Sequence, residues 1–176
     1  EILNIFMENI SDWVQVKAAE NSSRRAALCE AFRTADAKTV QRIFSENLNE
    51  TISIRDTAIR KDLKENFYHG FLLGLLRHRE DWKVISNRES GKGYADIVIE
   101  SQTEKLGIVI EVKYSDDGNL DAGCAKALQQ ILDEDYLSQP RLDGMTKIIK
   151  CGIACHVKDC KVIFEESCYY SQPDEA

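Results

Sequence analysis

The segment 107–114 constrains the fold of this chain more than any other. It reads GIVIEVKY, so its residues are apolar on both faces of a strand before and around Glu111. A strand of this kind belongs in a sheet that other elements cover on both sides. We therefore expect an α/β fold in which a central mixed β-sheet is flanked by helices.

The rest of the chain predicts helices first and strands afterwards. Apolar residues at three- and four-residue spacing predict three short helices up to about Asp56, and an almost wholly apolar helix follows over about 61–78. Period-two patterns then predict strands at 82–87, 94–100, 107–114, 147–156 and 161–165, with a helix over about 120–135. We expect residues 1–56 to form a helical lead-in, 57–170 the α/β domain and 171–176 a flexible tail.

Composition and charge exclude several classes of protein. The chain has 23 Lys and Arg against 30 Asp and Glu, a net charge of −7, which argues against broad nonspecific adhesion to nucleic acid. No apolar run approaches the ~20 residues of a membrane-spanning helix, and no secretory signal opens the chain. We therefore expect a cytoplasmic protein without a membrane partner. Because the chain opens with Glu1 and not Met, we also expect it to be part of a longer protein.

The six cysteines predict buried free thiols. Without a secretory signal, a disulfide framework is not expected. Zinc is disfavoured because Cys151 and Cys155, four residues apart on a predicted strand, would lie ~13 Å apart. A single zinc ion with sulfur ligands at ~2.3 Å cannot span that distance.

Two acidic residues interrupt neighbouring apolar strands. A symmetric hairpin that turns about Thr103 and Glu104 places Asp96 directly across from Glu111. Opposed residues have Cβ atoms ~4.5–5.5 Å apart, and like charges at that spacing are destabilising. A divalent cation bound by both carboxylates removes the repulsion, and oxygen ligands suit Mg²⁺ or Mn²⁺. Lys113 shares the strand face of Glu111, where it can orient or deprotonate a water and offset charge on a phosphate.

The same pattern also has a purely structural interpretation. Asp96 and Glu111 would then be a surface carboxylate pair, and Lys113 would be their salt-bridge partner. The strand pattern alone does not decide between this interpretation and a metal site.

Four spaced motifs resemble the PD-(D/E)XK nuclease superfamily. They are residues 65–75 (ENFYHGFLLGL), 87–96 (NRESGKGYAD), 110–113 (IEVK) and 127–131 (ALQQI). The similarity extends over about residues 65–162. It is closest to the branch that lies C-terminal to AAA-ATPase-like domains in bacterial proteins, so the resemblance implies an upstream AAA-ATPase-like domain as a partner.

The resemblance implies a role for each matching residue. Asp96 and Glu111 would bind the metal, and Glu65 would reach it directly or through water. Lys113 would be the catalytic lysine. Gln130 matches the glutamine of the helix that follows the motif, where it would orient the substrate or the lysine.

Four further positions are implied in substrate binding: Arg88, Lys92, His69 and Tyr136. Ala95 stands where the family motif has proline, and Tyr94 stands where a basic residue is usual. Arg88 or Lys92 would therefore supply the phosphate contact. Tyr136 lies six residues after Gln130, as the family pattern expects. His69 lies one turn after Glu65 and is either an auxiliary contact or a hydrogen-bonded, half-buried histidine.

The resemblance thus implies a restriction-endonuclease-like core with metal-dependent nuclease activity. The implied reaction is hydrolysis of phosphodiester bonds with Mg²⁺ or Mn²⁺, on nucleic acid and, by the habit of the superfamily, on DNA. The alternative is a catalytically silent module of the same fold that binds or regulates together with an AAA-ATPase-like domain. The net charge of −7 favours the silent module, and the intact motif residues favour the nuclease.

Overall fold

The computed structural model describes residues 2–18, 22–51, 63–77 and 79–168. Within these ranges the helices are α1 (Ile2–Ala18), α2 (Ser22–Arg33), α3 (Ala37–Thr51), α4 (Lys64–Leu76), α5 (Leu120–Asp133) and α6 (Ser138–Leu142). The strands are β1 (Lys83–Ser90), β2 (Gly93–Ser101), β3 (Leu106–Tyr114), β4 (Lys147–His156) and β5 (Asp159–Cys168).

The strands form one mixed sheet in the order β1-β2-β3-β4-β5. Neighbouring strands are antiparallel, except that β3 and β4 are parallel. Parallel strands need a long crossover connection, which α5 and α6 provide. The predicted fold, a central mixed sheet with flanking helices and an N-terminal helical lead-in, is confirmed.

Helices cover both faces of the sheet, as the doubly apolar third strand predicts. On one face Ile108 and Ile110 belong to a large buried cluster that also contains residues of α2, α3 and α4. On the other face Val109 packs with Leu128 and Ile131 of α5. Because both faces of β3 are buried, the strand that carries Glu111 and Lys113 is held at the centre of the molecule.

Helix α4 packs closely against α1. A Cβ atom on Gly70 would lie 2.7 Å from the carbonyl oxygen of Met7, and one on Gly74 would lie 2.5 Å from that of Ser11. Only glycine therefore permits this separation of the two helices. The buried Arg25 of α2 donates to carbonyl oxygens at the end of α4, with its Nη2 3.0 Å from the oxygen of Gly74. These contacts fix the helix that carries Glu65 and His69.

The β1–β2 hairpin is longer than predicted. The pattern predicts a strand that ends at 87 and a loop over 89–93, whereas β1 continues to Ser90 and β2 begins at Gly93. Gly91, with φ +59°, allows a turn of only two residues. Residues 88–90 are polar and show no hydrophobic alternation, so the sequence pattern does not predict that the strand continues through them.

Other boundaries shift, and one element is new. Helix α5 ends at Asp133, α6 follows it unpredicted, and β5 begins before 161 and ends after 165. The predicted tail 171–176, and parts of the helices predicted up to Asp56 and over 61–78, lie outside the described residues. The domain boundaries stay a prediction. None of the described helices is long and apolar enough to cross a membrane.

Candidate active site

The β2–β3 hairpin adopts the predicted register. Its ladder of five pairs follows the symmetric turn, from Ser101 opposite Leu106 to Ile97 opposite Ile110. The ladder ends there, one position before Asp96 and Glu111. Both acidic residues therefore lie at the point where the pairing between β2 and β3 stops.

The carboxylate of Asp96 replaces a missing backbone partner. Its Oδ2 accepts a hydrogen bond from the backbone N–H of Val112 at 2.8 Å. Its Oδ1 lies 3.5 Å from Nδ1 of His69. The other ring nitrogen of His69, Nε2, lies 3.1 Å from Oγ of Ser86. Burial lowers the pKa of His69 to about 4, so the ring is neutral at pH 7 and bridges β1 and Asp96.

Glu111 is the most deeply buried acid of the site. Its side chain is 2% exposed, and its Oε1 accepts a hydrogen bond from Nζ of Lys113 at 2.9 Å. Its Oε2 has no hydrogen-bond partner among the described residues. Burial, and after it the charge of Asp96, raises the pKa of Glu111.

Lys113 carries the positive charge of the site. Burial acts to lower its pKa, but the charge and hydrogen bond of Glu111, together with the charges of Glu65 and Asp96, outweigh burial, and the pKa is raised. Its Nζ also lies 3.8 Å from Oε2 of Glu65. Lys113 therefore remains an ammonium ion between the two glutamates.

Glu65 lies at the rim of the site, with a side chain that is 48% exposed. Its Oε1 accepts a hydrogen bond from the backbone N–H of Tyr114 at 3.3 Å. The start of α4 is thus attached to the end of β3. A metal-ligand role for Glu65 requires a bridging water or a rotation of its exposed side chain.

The acidic residues provide two ligands of the kind that a hard divalent cation prefers. Within the described ranges, no group of three or more His, Cys, Asp and Glu side chains is arranged to hold a metal ion. The pair Asp96 and Glu111 nevertheless fits Mg²⁺ or Mn²⁺, because it offers carboxylate oxygens and because Glu111 Oε2 is buried without another partner.

Gln130 and Tyr136 form a pair on the α5 side of the sheet. Nε2 of Gln130 donates a hydrogen bond to the Tyr136 hydroxyl at 3.2 Å. Tyr136 is 3% exposed and belongs to the buried cluster under α5. Its burial favours support of Gln130 over the direct substrate contact that the resemblance implies.

The other three implied substrate contacts have protein partners. Nη2 of Arg88 lies 2.7 Å from Oδ2 of Asp143, and Nζ of Lys92 donates to the carbonyl oxygen of Asp133 at 3.2 Å. His69 is only 2% exposed. These contacts attach the hairpin to α5 and to the residues after α6, so a substrate role would require them to open.

A cleft of about 350 Å³ opens beside Lys113 and Glu65. Its lining also includes Asp116, Asp117 and Lys126, none of which belongs to the four sequence motifs. The sequence pattern that indicates Asp116 and Asp117 is the polar run directly after the strand of Lys113. The cleft brings lysines and acids together, so its charge is far from the uniform positive charge of a nonspecific DNA-binding groove.

Five of the cysteines are described with their side chains, and all five are free and buried: Cys29, Cys124, Cys151, Cys155 and Cys160. Burial raises the pKa of the thiols of Cys29, Cys124 and Cys160 to about 11. The prediction of buried free thiols is confirmed for these residues, which are poor nucleophiles at neutral pH.

Comparison with known proteins identifies the family. A family model of the PD-(D/E)XK nuclease superfamily matches residues 63–165, more than half of the chain. The matched range contains the acidic pair, Lys113, Glu65 and Gln130. No curated protein matches the chain significantly. On the family match, together with the mixed sheet and its paired carboxylates, the chain belongs to the PD-(D/E)XK nuclease superfamily.

Proposed function

We propose that this domain is a metal-dependent nuclease that hydrolyses phosphodiester bonds in DNA. The observation that carries the proposal is the buried oxygen Oε2 of Glu111, which has no partner among the described residues and lies beside a second carboxylate. A buried, unsatisfied carboxylate oxygen is costly unless a ligand completes it. Nuclease chemistry supplies such a ligand, a divalent cation.

In this proposal Asp96 and Glu111 hold Mg²⁺ or Mn²⁺, and Glu65 contributes from the rim. The bound cation would polarise the scissile phosphate and the attacking water. The hydrogen bond from Val112 fixes one oxygen of Asp96 and leaves the other, Oδ1, on the side of His69. Membership of the superfamily supports this ligand set.

Lys113 orients the attacking water and stabilises the negative charge that develops on the phosphate. Its position supports both roles, because its ammonium group is charged, partly buried and 2.9 Å from Glu111. Gln130 orients the substrate or the lysine, and the hydrogen bond to Tyr136 fixes its amide. The cleft beside Lys113 offers the approach for a phosphate.

The domain would act in the cytoplasm, beside an upstream AAA-ATPase-like domain. The motif resemblance supports association with an upstream AAA-ATPase-like domain. Five buried free thiols support a reducing compartment, the cytoplasm. DNA as the substrate rests on the usual substrate of the superfamily.

The test is a cleavage assay of the purified chain on DNA and RNA with Mg²⁺ and with Mn²⁺. We expect metal-dependent cleavage of DNA that falls by ~10²–10⁴-fold in Lys113→Ala. Lys126→Ala is the matched control, because it removes the same charge from the same cleft, and we expect it to change cleavage only a few-fold. Cleavage without metal, or full cleavage by Lys113→Ala, would contradict the mechanism.

A silent binding or regulatory module is the second candidate function. The observation that favours it is the lack of a three-residue metal-ligating group within the part of the chain that the structure describes. Titration calorimetry with Mn²⁺ discriminates between the two. Binding that is lost in Asp96→Asn supports the nuclease, and no binding at millimolar Mn²⁺, with or without DNA, supports the module.

A further inference from the structure

Halfway along the β1–β2 hairpin, the alternation of side chains between the two faces of the sheet is interrupted. Positions that face α4 before this point face α5 after it, and we call this change the exchange of faces. Alternate residues of a regular strand point to one face, so Ser86 and Ser90 should point the same way. Instead Ser86 contacts His69 of α4, whereas Ser90 donates to the carbonyl oxygen of Tyr136, in the cluster under α5. The alternation of β1 therefore breaks between these two serines.

Strand β2 shows the same break at the facing position. Ile97 belongs to the buried cluster on the α4 face, and Ala95, two residues earlier, belongs to the cluster on the α5 face. The ladder between β1 and β2 has pairs on both sides of this point but lacks the pair Asn87–Asp96. The exchange of faces is thus located at Asn87 and Asp96.

Asn87 has the backbone conformation that accounts for the exchange. Its φ is +49°, in the left-handed region that most L-residues avoid and that Asn adopts more readily than most. A left-handed residue within a strand interrupts the ladder locally and redirects side chains. The residue opposite this interruption is Asp96.

We propose that Asn87 is a positioning residue for the metal site: its left-handed backbone turns the hairpin over at Asp96 and so places the Asp96 carboxylate on the N–H of Val112, beside Glu111. The ligand role of Asp96 rests on the proposed function, whereas the geometric role of Asn87 does not. Asp96 is paired neither with β1 nor with β3 in the sheet, so its carboxylate can accept the hydrogen bond from the backbone N–H of Val112.

The inverted half of the hairpin is anchored on the opposite side. The backbone N–H of Lys92 donates to the carbonyl oxygen of Glu134 at 2.8 Å, just after α5. A Cβ atom on Gly91 would lie 2.0 Å from the same oxygen, so the tip of the hairpin is in direct contact there. These contacts hold the tip of the hairpin against the end of α5, so Asn87 lies between this anchor and the contact of Ser86 with His69.

Three variants of the full chain, with a fourth in reserve, test the role of the backbone. Asn87→Gly keeps access to the left-handed region, whereas Asn87→Val introduces a β-branched residue that disfavours it. Lys105→Val is the matched control, because Lys105 also has a left-handed φ, +50°, but lies in the β2–β3 turn away from the site. If Asn87→Val does not fold, Asn87→Ala replaces it, because alanine disfavours the left-handed region less strongly than valine does.

The first readout is amide hydrogen exchange of Val112 in metal-free protein, measured by NMR relative to Val109 of the same strand. We expect Asn87→Val to raise this ratio by about tenfold, the equivalent of the usual penalty for a left-handed residue. Asn87→Gly and Lys105→Val should keep the wild-type ratio. The second readout is Mn²⁺ affinity by calorimetry, which should weaken about tenfold in Asn87→Val only.

A wild-type exchange ratio in Asn87→Val would overturn the positioning role. A ratio raised equally in Asn87→Gly would overturn it as well, because the side chain and not the backbone would then be responsible. If the wild-type chain binds no Mn²⁺, the proposed function fails, but the exchange ratios still decide the role of Asn87.

Discussion

Replacing Glu111 with glutamine should stabilise the metal-free protein and abolish its response to metal. The side chain is 2% exposed, and its Oε2 has no hydrogen-bond partner among the described residues. Glutamine keeps the shape and the acceptor that faces Lys113, but it removes a buried charge next to Asp96. The neutral amide should therefore be the better residue for folding and the poorer residue for binding a cation.

The magnitude follows from two opposing contributions. The amide nitrogen that takes the place of Oε2 is also buried without a partner, so the gain is only the extra cost of the buried charge, ~2 kcal/mol above that of a neutral group without a partner. Against this, the hydrogen bond from Lys113 at 2.9 Å loses its ionised acceptor, a loss of ~1 kcal/mol. We expect a net gain of about 1 kcal/mol for Glu111→Gln, which raises Tm by about 2–4 °C in a chain of this size.

Manganese should reverse this order. A ligand at 100 times its Kd stabilises the folded protein by about 2.7 kcal/mol, but only if its binding site is intact. The wild-type chain should gain this stabilisation, and Glu111→Gln should gain none. The variant is then more stable than the wild type in EDTA and less stable in saturating Mn²⁺.

Thermal unfolding by circular dichroism, in EDTA and over a series of Mn²⁺ concentrations, measures both effects. Glu166→Gln is the matched control, because it makes the same change at a side chain that is 47% exposed, and we expect its Tm to stay near that of the wild type in both conditions. A Tm lowered by Glu111→Gln in EDTA would refute the argument from burial. Equal Mn²⁺ shifts in both proteins would refute the metal site.

Three further outcomes follow from other contacts. Gly74→Ala should lower the free energy of unfolding by about 1–3 kcal/mol in urea titrations, because its Cβ would lie 2.5 Å from the carbonyl oxygen of Ser11. Glu100→Gln should gain stability relative to the wild type as pH rises from about 4 to 7. Burial raises the pKa of Glu100, and a folded protein loses stability with increasing pH when one of its acids has a raised pKa. Urea unfolding at several pH values measures the difference. Tyr136→Phe should lower cleavage several-fold without changing Mn²⁺ affinity, because it removes only the partner of Gln130; equal loss of both would contradict this role.

The register of the site could be predicted from the sequence because it depends on two regular features. Strand residues alternate with period two, and a symmetric turn fixes which residues face each other. The pair Ile97–Ile110 lies in the predicted register, so Asp96 and Glu111 emerge together at the end of the ladder. The covered sheet was predictable for a similar reason, since β3 is apolar on both faces.

The surroundings of the site could not be predicted, because they depend on single backbone angles and on long-range contacts. No pattern shows that Asn87 has a positive φ, although asparagine inside a strand is itself unusual. The strand pattern therefore predicts a regular alternation through Asp96, which the exchange of faces contradicts. The partners of Arg88 and Lys92 are Asp143 and the carbonyl group of Asp133, more than 40 residues away, so no local pattern shows these contacts. A substrate role for Arg88 and Lys92 stays a prediction.

The unfavourable features of this fold favour an active site over a silent module. Three such features lie side by side on neighbouring strands. They are the left-handed Asn87 on β1, the interrupted ladder at Asp96 on β2 and the unpartnered oxygen of Glu111 on β3. Each is destabilising in a metal-free sheet, and such features persist mainly where function needs them. A domain that only bound a partner through its surface would gain nothing from a buried carboxylate at 2% exposure. A bound cation would stabilise Glu111, the one acid of the site that the sheet itself leaves unsatisfied among the described residues.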